Sequence, residues 1–241
     1  MVLKPSPGDH SDIGPGNYKL LRLNCPGGAC IRDSMAGNYD ACATLGETVE
    51  TEPGVLAGPT RQGFNTRFGF WEGPINSGDY PPDVVTHEVT PPLETFVDTG
   101  NGNDVLYWGQ VDHVVINAGH IPGYDYDEYV YRSMTPAMHD FPTWGNPAGV
   151  HWRRVMAMPV ADCTGDETGL STITIEGFAC YYMLQRVGAG IDPETDDGSL
   201  KNIFGQFVDG CLTGGAPGPD PGAGVGPYLI QLYKDPDSAD S

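Results

Sequence analysis

Short apolar runs, several of them alternating with polar residues, predict a chain rich in β-strands. Such runs lie at residues 18–23, 47–51, 84–89, 104–110, 113–117 and 228–234. The alternation is clearest in ETVET (47–51) and YLIQLYK (228–234). A period of two places every second side chain on the same face of a strand, so these runs indicate half-buried strands.

Two longer runs predict an antiparallel hairpin, which is the clearest structural signal in the sequence. Residues 152–162 (WRRVMAMPVAD) and 172–187 (TITIEGFACYYMLQRV) are joined by the turn-like segment CTGDETGLS. Apolar and β-branched residues bounded by turn residues are typical of paired strands. Gly177 interrupts the second run, and a glycine within a strand pattern indicates a bulge or a bend.

Two segments in the first third of the chain have features of short helices. Residues 29–36 end before Gly37, and glycine favours the left-handed conformation that often follows a helix. Residues 60–68 (TRQGFNTRF) place two phenylalanines on one face behind Thr60, a residue type that caps helix N-termini. Gly63 within this segment weakens the prediction.

A third helix is predicted at residues 199–210 (SLKNIFGQFVDG). Ser199 is suited to cap this helix and Gly210 to end it. Its apolar stripe consists of Leu200, Ile203, Phe204, Phe207 and Val208. A stripe at helical spacing is typical of a helix that packs on a core, so we expect it to lie on the inner face of the hairpin.

These elements predict an α+β, β-rich fold, in which an antiparallel, sandwich-like sheet carries a few short packing helices. The chain has 241 residues, enough to bury a core, and its 34 glycines and 22 prolines indicate many loops. We expect a single globular domain at residues 14–234. A polar Pro/Gly linker precedes it at residues 1–13, and an acidic tail follows at residues 235–241.

The chain is strongly acidic, with 32 acidic residues against 12 basic ones and a formal net charge of −20. Such a charge repels phosphate backbones and anionic lipid headgroups, so we predict no nucleic-acid partner. Two interpretations of the acidic excess remain open: the solvated surface of a secreted protein, or clusters that gather divalent cations. Both indicate an extracytoplasmic location, in the periplasm, at the cell surface or secreted.

Cysteine usage indicates the same location. The candidate disulfide residues are Cys25, Cys30, Cys42, Cys163, Cys180 and Cys211. Their number is even and no C-x-x-C pair occurs, which disfavours thioredoxin-like redox chemistry and ribbon-type zinc sites. We therefore predict a disulfide-stabilised domain whose pairing stays open. The turn-like NCPGGAC favours a loop between Cys25 and Cys30, and the alternative for Cys180, in the apolar run GFACYYML, is a reduced core residue.

The sequence contains no catalytic motif that we recognise. It has no G-x-S-x-G, no H-E-x-x-H, no P-loop and no G-x-G-x-x-G after a predicted strand. His113 beside Asp112, with His120 and Asp125 downstream, is compatible with a metal site or an acid–base pair, but isolated structural histidines are the commoner case. We predict a protein that is not an enzyme and has no catalytic residues.

Four acidic residues are weak calcium candidates: Asp192, Glu194, Asp196 and Asp197. They do not form an EF-hand, because its sixth position is an aspartate where glycine is needed and its twelfth is Ile203 where glutamate is needed. A calcium loop of another kind and a plain solvated loop both remain open. We predict no other cofactor.

Aromatic residues gather in the second half of the chain. The interface candidates among them are Tyr124, Tyr126, Tyr129, Tyr131, Trp144 and Trp152. The tyrosines are interleaved with acidic residues, and amphipathic rings of this kind are enriched at protein interfaces. The alternative, that these rings cover the sheet, remains open.

Several glycine-bounded blocks together resemble the Flp pilus-assembly TadE/TadG-like family of the tight-adherence (Tad) system. The matching blocks are GNYKLLRL, IRDSMAGNYDAC, GETVETEPG, GPTRQGFNTRF, RRVMAMPVADC, IEGFACYYML and YKDPDS. The resemblance implies a non-enzymatic structural or assembly component of a Tad/Flp-type pilus in the bacterial envelope, with pilus or cell-envelope proteins as partners. The alternative is a secreted acidic binding module or adhesin, calcium-dependent or not, without a pilus role.

Members of that family usually begin with a hydrophobic membrane-anchoring helix. No run in this sequence approaches the roughly 18 apolar residues that cross a bilayer. The first residues, MVLKPSPGDHSDIGPGN, also lack the apolar region of a signal peptide. We therefore expect no membrane insertion by this chain itself.

Overall fold

The computed structural model of the protein describes part of the chain. The described residues are 2–3, 18–22, 26–37, 44–52, 57–90, 92–97, 104–108, 114–115, 123–161, 170–188 and 203–208. Within them the fold is α+β, with mainly antiparallel sheets and a few short helices, so the predicted class is confirmed at that level.

The described elements comprise short strands and helices. The strands are β1 (Val2–Leu3), β2 (Tyr18–Lys19), β3 (Thr48–Glu50), β4 (Leu93–Val97), β5 (Asp104–Trp108), β6 (Val114–Val115), β7 (Val155–Val160), β8 (Thr172–Thr174), β9 (Gly177–Met183) and β10 (Gly205–Val208). The helices are α1 (Gly28–Met35), α2 (Ala57–Asn65) and α3 (Tyr126–Ser133), with 3-10 turns at Thr66–Phe68 and Pro136–Met138. None of these helices is both long and apolar enough to cross a membrane.

The predicted hairpin is confirmed and forms the centre of the largest sheet. β7 and β9 pair antiparallel, from Val155 opposite Tyr182 to Val160 opposite Gly177. The five-stranded sheet has the order β10-β9-β7-β1-β2, in which β1 is parallel to β7 and the other pairs are antiparallel. Residues 2–3 therefore lie within the sheet, where the sequence predicted a linker.

Gly177 marks the predicted bend in the second strand of the hairpin. Before it, β8 pairs with β3 in a separate two-stranded sheet, whereas β9 begins at Gly177 in the large sheet. The strand predicted at residues 47–51 is confirmed as β3, with Val49 buried between exposed Thr48 and Glu50. One continuous run of sequence therefore contributes to two sheets.

The helix predicted at residues 199–210 is wrong in its described part, because the chain there forms strand β10 against β9. Ile203 and Phe207 pack on one side of the sheet, whereas Phe204 and Val208 pack on the other. A strand with apolar side chains on both faces loses the simple alternation of a half-buried strand. Its apolar spacing then matches the spacing of a helical stripe, which explains the error.

The first two predicted helices are confirmed. α1 is followed by Gly37 in the left-handed region, with φ at 97°. α2 and the 3-10 turn after it bury Phe64 and Phe68. Because α2 begins at Ala57, Thr60 lies inside the helix and is not its N-terminal cap.

Gly63, which weakened the prediction of α2, is the point where α2 crosses α1. A Cβ atom at this position would overlap the carbonyl oxygen of Arg32 and would lie 2.6 Å from Cβ of Met35. Interior atoms do not approach so closely, so a larger residue at Gly63 is incompatible with this crossing. The low helix propensity of glycine is the cost of this close approach.

The large sheet separates two hydrophobic clusters. Along β9, Tyr181 and Met183 pack with α1 and α2 on one face, whereas Tyr182 packs with α3 on the other. A third cluster joins β3 to β8 through Val49 and Ile173. Strand β9 therefore has packed neighbours on both of its faces.

The region from residue 69 to residue 148 is more regular than its sequence suggests. The strands predicted at residues 104–110 and 113–117 contain β5 and β6, which join β4 in a three-stranded antiparallel sheet. The sequence predicted neither β4 nor α3. Residues 84–89 are not a strand, although all three valines of this segment are buried.

Two further strand predictions lie near the ends of the chain. The strand predicted at residues 18–23 is shorter than expected and consists of β2 and a bridge from Leu21 to Thr51. The strand predicted at residues 228–234 and the acidic tail at residues 235–241 lie outside the described residues.

Candidate functional site

A half-open groove of about 600 Å³ lies between α3, the 3-10 turn that follows it and the loop that leads towards β7. Its walls include Met134, Pro136, His139, Pro142, Trp144 and His151. We call it the α3 groove. Mostly apolar walls with a few polar groups are typical of binding sites on protein surfaces.

Large apolar side chains are exposed on the elements that form the α3 groove. Trp144 is 86% exposed, Met134 69%, Tyr131 57% and Met138 37%. We call these four residues the exposed rim. They lie within fourteen consecutive positions of the chain, residues 131–144. Apolar exposure concentrated in one short segment is more informative than single exposed apolar side chains, which are common on any protein surface.

Helix α3 holds one wall of the groove in place. Asp125 caps the helix, since its carboxylate accepts a hydrogen bond from the N–H of Glu128 at 3.0 Å. Glu128 also pairs with Arg132 one turn later, at 2.8 Å. Tyr129 is buried, and its hydroxyl donates to Asp83 at 2.7 Å. The helix is therefore capped at its start and bound to the interior at its middle.

The opposite wall is the loop that carries Trp144. The N–H of Gly149 donates to the carbonyl of Pro142 at 3.0 Å, and the N–H of Gly145 donates to the same carbonyl at 3.1 Å. A Cβ atom on Gly149 would overlap the carbonyl oxygen of Phe141, so only glycine permits this approach. The loop thus presents an exposed tryptophan from a hydrogen-bonded turn.

Asp83 lies fully buried against α3. Its carboxylate accepts hydrogen bonds from the N–H of Val85 at 2.9 Å, the hydroxyl of Tyr129 at 2.7 Å and the N–H of Arg154 at 3.0 Å. Burial raises the pKa of the Asp83 carboxyl, and these hydrogen bonds together with the charge of Arg154 oppose that rise. Burial, with the neighbouring Asp83, also holds the pKa of Tyr129 well above its usual value.

The guanidinium of Arg154 is also fully buried. It donates five hydrogen bonds of 2.7–3.2 Å to four backbone carbonyls, two of them to the carbonyl of Met183. The other acceptors are the carbonyls of Val85, His87 and Leu184. These bonds use all its donors. Three ring centroids lie 4.6–5.4 Å from its central carbon, those of Phe68, Tyr129 and Tyr182. Arg154 therefore organises the interior and has no donor left for a ligand.

Two more arginines are buried where α1 ends. Arg67 donates to the carbonyl of Met35 at 2.7 Å and to that of Arg153, and Arg153 donates to the carbonyl of Ala36 at 2.6 Å. Burial, together with the nearby charge of Arg153, lowers the pKa of Arg67 to about 9. Burial lowers the pKa of Arg153 to about 10. Because cations favour the C-terminal end of a helix, these side chains stabilise the end of α1.

The six predicted interface residues divide between the interior and the surface. Four of them pack in the cluster over the sheet: Tyr124, Tyr126, Tyr129 and Trp152. These four rings cover the sheet, as the alternative interpretation of the aromatic cluster had it. Tyr129 is fully buried. Tyr131 and Trp144 present most of their side chains to solvent. They belong to the exposed rim.

Sequence reasoning missed α3 and most of the α3 groove. The signal for the helix was present, because Asp125 followed three residues later by Glu128 is a capping pattern. Tyr126, Tyr129 and Ser133 also have helical spacing. The loop from His139 to His151 has no periodic pattern, so nothing in the sequence placed its two ends together.

The two histidines of the groove are neighbours, with ring centroids 5.2 Å apart. The residues that the sequence offered as a metal site or acid–base pair are not brought together in the described part of the chain. Asp125 is the N-terminal cap of α3. The other three residues, Asp112, His113 and His120, lie outside the described part of the chain.

Cys30 and Cys180 are each disulfide-bonded, so Cys180 is not a reduced core residue. The other four cysteines lie outside the described residues, as do the calcium candidates Asp192, Glu194, Asp196 and Asp197. Within the described residues no group of three or more His, Cys, Asp and Glu side chains is placed to hold a metal ion. The pairing of the cysteines and the calcium loop stay predictions.

Comparisons of the chain with protein-family profiles, with curated proteins and with solved structures find no match. The resemblance to the pilus-assembly family therefore stays a prediction.

We expect His87 to make the fold less stable in mild acid. Its ring stacks on that of Tyr124, with the two centroids 4.8 Å apart. Burial, and to a smaller extent the charge of Arg132, lowers the pKa of His87 below its usual value. A lowered pKa in the folded state means that unfolding favours proton uptake, so stability is lost as pH falls below about 6.5. Urea unfolding at pH 7.5 and 5.5 should show a smaller loss for His87→Gln than for the wild type. An equal loss in both would contradict this assignment.

Proposed function

We propose that the protein is a non-enzymatic structural or assembly component of a Tad/Flp-type pilus system in the bacterial envelope. In this proposal it binds a pilus or cell-envelope protein through the α3 groove. The exposed rim is the observation that carries the docking part. The pilus part depends on the resemblance of the sequence blocks quoted above.

The rim residues are suited to protein contacts. Burying one aromatic side chain removes about 150–250 Å² of surface from water, and tryptophan is enriched among the residues that dominate binding energy. Trp144 is exposed over 86% of its surface, so nearly all of this area is available to a partner. The flexible thioether side chains of Met134 and Met138 can adapt to a partner's shape.

The buried polar groups support a role without catalysis. The carboxylate of Asp83 and the guanidinium of Arg154 are both enclosed, and their hydrogen bonds are made within the fold. Their hydrogen bonds fix the position of α3, which forms one wall of the groove. They do not face the groove's solvent-filled space.

We place the protein outside the cytoplasm, in the periplasm, at the cell surface or secreted. Disulfides at Cys30 and Cys180 support this location, because disulfides persist in oxidising compartments. The formal net charge of −20 supports it as well, and we propose that the disulfides stabilise the domain.

We further propose a sandwich-like arrangement of the sheets around the core on the α3 side. Leu93, the first residue of β4, exchanges two hydrogen bonds with Gln185, just after β9, at 2.7 and 3.1 Å. Leu93 also packs in the same cluster as Tyr182. These contacts join the start of the three-stranded sheet to the large sheet.

Trp144→Ala should abolish most partner binding while leaving the fold intact. Removing a central interface tryptophan typically costs about 2–4 kcal/mol of binding free energy, roughly 30-fold or more in affinity. The purified chain is immobilised as bait for envelope fractions of a bacterium with a Tad pilus, and captured proteins are quantified by mass spectrometry.

Phe178→Ala is the matched control, because Phe178 is an aromatic residue that is 46% exposed on β9 and is not part of the groove wall. The proposal requires capture of pilus or envelope proteins that Trp144→Ala loses and Phe178→Ala keeps. Equal capture by the wild-type chain and both variants would show that the groove is not the binding site. Capture that depends on Trp144 but contains no pilus component would favour the secreted binding module.

A further inference from the structure

Two imidazoles converge in the α3 groove from positions twelve residues apart. His139 follows the 3-10 turn, and His151 lies at the other end of the loop that carries Trp144. Both side chains line the groove and are partly exposed. Their ring centroids are 5.2 Å apart and their planes cross at 77°.

The hydrogen bonding of His139 leaves one nitrogen free to bind a ligand. Nε2 of His139 lies 2.9 Å from the backbone carbonyl oxygen of Ser133. A carbonyl oxygen only accepts, so Nε2 donates its hydrogen and Nδ1 carries the lone pair of the neutral ring. Metal-binding histidines usually donate the other ring N–H to a backbone carbonyl or a carboxylate in this way. His139 therefore has the tautomer in which Nδ1 is able to coordinate a metal ion.

The separation of the two rings also suits a shared ion. Imidazole nitrogens bind Zn²⁺ at about 2.0–2.1 Å, which puts the centroids of two rings on one tetrahedral ion roughly 5 Å apart. The observed 5.2 Å agrees with that separation.

A buried hydroxyl adds a polar group without a partner to the same groove. Ser133 is 1% exposed, lines the groove, and its Oγ has no hydrogen-bond partner among the described residues. Buried polar atoms are nearly always hydrogen-bonded to a protein group, a water or an ion. A water bound to a metal ion in the groove is a chemically suitable partner for this hydroxyl.

We propose that His139 and His151 bind a late first-row transition-metal ion, of the Zn²⁺ or Cu²⁺ class, in the α3 groove. Imidazole is a preferred ligand of these ions. Two protein ligands leave the remaining coordination positions to solvent or to a partner's side chain. The inference goes beyond the proposed docking function and does not depend on it, since metal binding is measured on the chain alone.

Calorimetric titration of the full chain, freed of metal with a chelator, tests the proposal with Zn²⁺ and Cu²⁺ in separate arms. We expect one ion per chain at this site, with affinity reduced at least about tenfold in His139→Ala and in His151→Ala. His87→Ala is the control, because His87 stacks on Tyr124 and is not part of the groove wall. It should bind as the wild type does.

The wild-type chain provides a second readout that does not require a variant to fold. In NMR spectra, one equivalent of Zn²⁺ should shift the ring signals of His139 and His151 before those of the other histidines. No binding in either arm, or binding that is equal in all variants, would overturn the proposal. So would ring signals that shift elsewhere first. If the wild-type chain bound metal but captured no partner, the result would count against the docking proposal alone.

Discussion

Replacing Asp83 with alanine is expected to lower the free energy of unfolding by about 3–5 kcal/mol. The substitution removes the acceptor of three hydrogen bonds, from Val85, Tyr129 and Arg154. It leaves those donors buried without this partner and removes a negative charge close to the enclosed guanidinium of Arg154. The loss is large against the roughly 5–15 kcal/mol that stabilises a typical protein. Urea unfolding at pH 7, followed by circular dichroism, measures it.

Asp79→Ala is the control for loss of an aspartate. Asp79 is exposed and accepts a hydrogen bond from the side chain of Asn76 at 2.6 Å, so we expect a change of about 0.5 kcal/mol or less. Tyr129→Phe, which removes only the hydroxyl, should fall between the two at about 1–2 kcal/mol. If Asp83→Ala and Asp79→Ala had equal effects, the buried network would have no special role in stability.

Gly63→Ala is expected to destabilise the fold by about 3 kcal/mol, although alanine is the better helix former. The added Cβ atom would overlap the carbonyl oxygen of Arg32 and lie 3.0 Å from the backbone nitrogen of Ala36. Backbone atoms cannot rotate away as a side chain can, so α1 and α2 have to separate. That separation weakens the packing of Met35 and Phe64 in the cluster between the helices and the sheet. Denaturant midpoints measure the loss.

Gly58→Ala gives the matched comparison within the same helix. Apart from its chain neighbours, nothing lies within 4 Å of a Cβ atom built at Gly58. The gain in helix propensity is opposed by Pro59, because proline disfavours a helical residue with a Cβ atom directly before it, so we expect a change of about 0.5 kcal/mol or less. The same substitution is thus expected to cost far more stability at Gly63 than at Gly58. A neutral or stabilising Gly63→Ala would show that the helices do not cross as described.

The parts of the fold that the sequence predicted are those with a local signal. The hairpin of β7 and β9, helix α1 and strand β3 each have their own periodicity and their own end signals. Residues 2–3 have no such signal, because their place in the sheet is set by pairing with β7, far along the chain. The sequence predicted a helix at β10 because apolar side chains pack on both sides of this strand, and that packing depends on the other elements of the core.

The candidate site was predictable only in part for the same reason. The aromatic pattern of the sequence included Tyr131 and Trp144 among the interface candidates, but it could not distinguish these exposed residues from the buried Tyr129. The hydroxyl of Tyr129 donates a hydrogen bond to the buried Asp83, which lies 46 residues earlier in the chain. The pair of His139 and His151 depends on the path of a loop without periodicity, so only the folded chain brings the two rings together.

Site-specific photo-crosslinking tests the central claim most directly. A photoreactive phenylalanine analogue is placed at position 144 of the exposed rim and, as control, at position 178 on β9, in cells that assemble a Tad-type pilus. Mass spectrometry of the crosslinked products identifies the contacts. The account predicts crosslinks to a pilus or cell-envelope protein from position 144 and few or none from position 178. Crosslinks of equal yield from both positions, or none from position 144 in piliated cells, would contradict it.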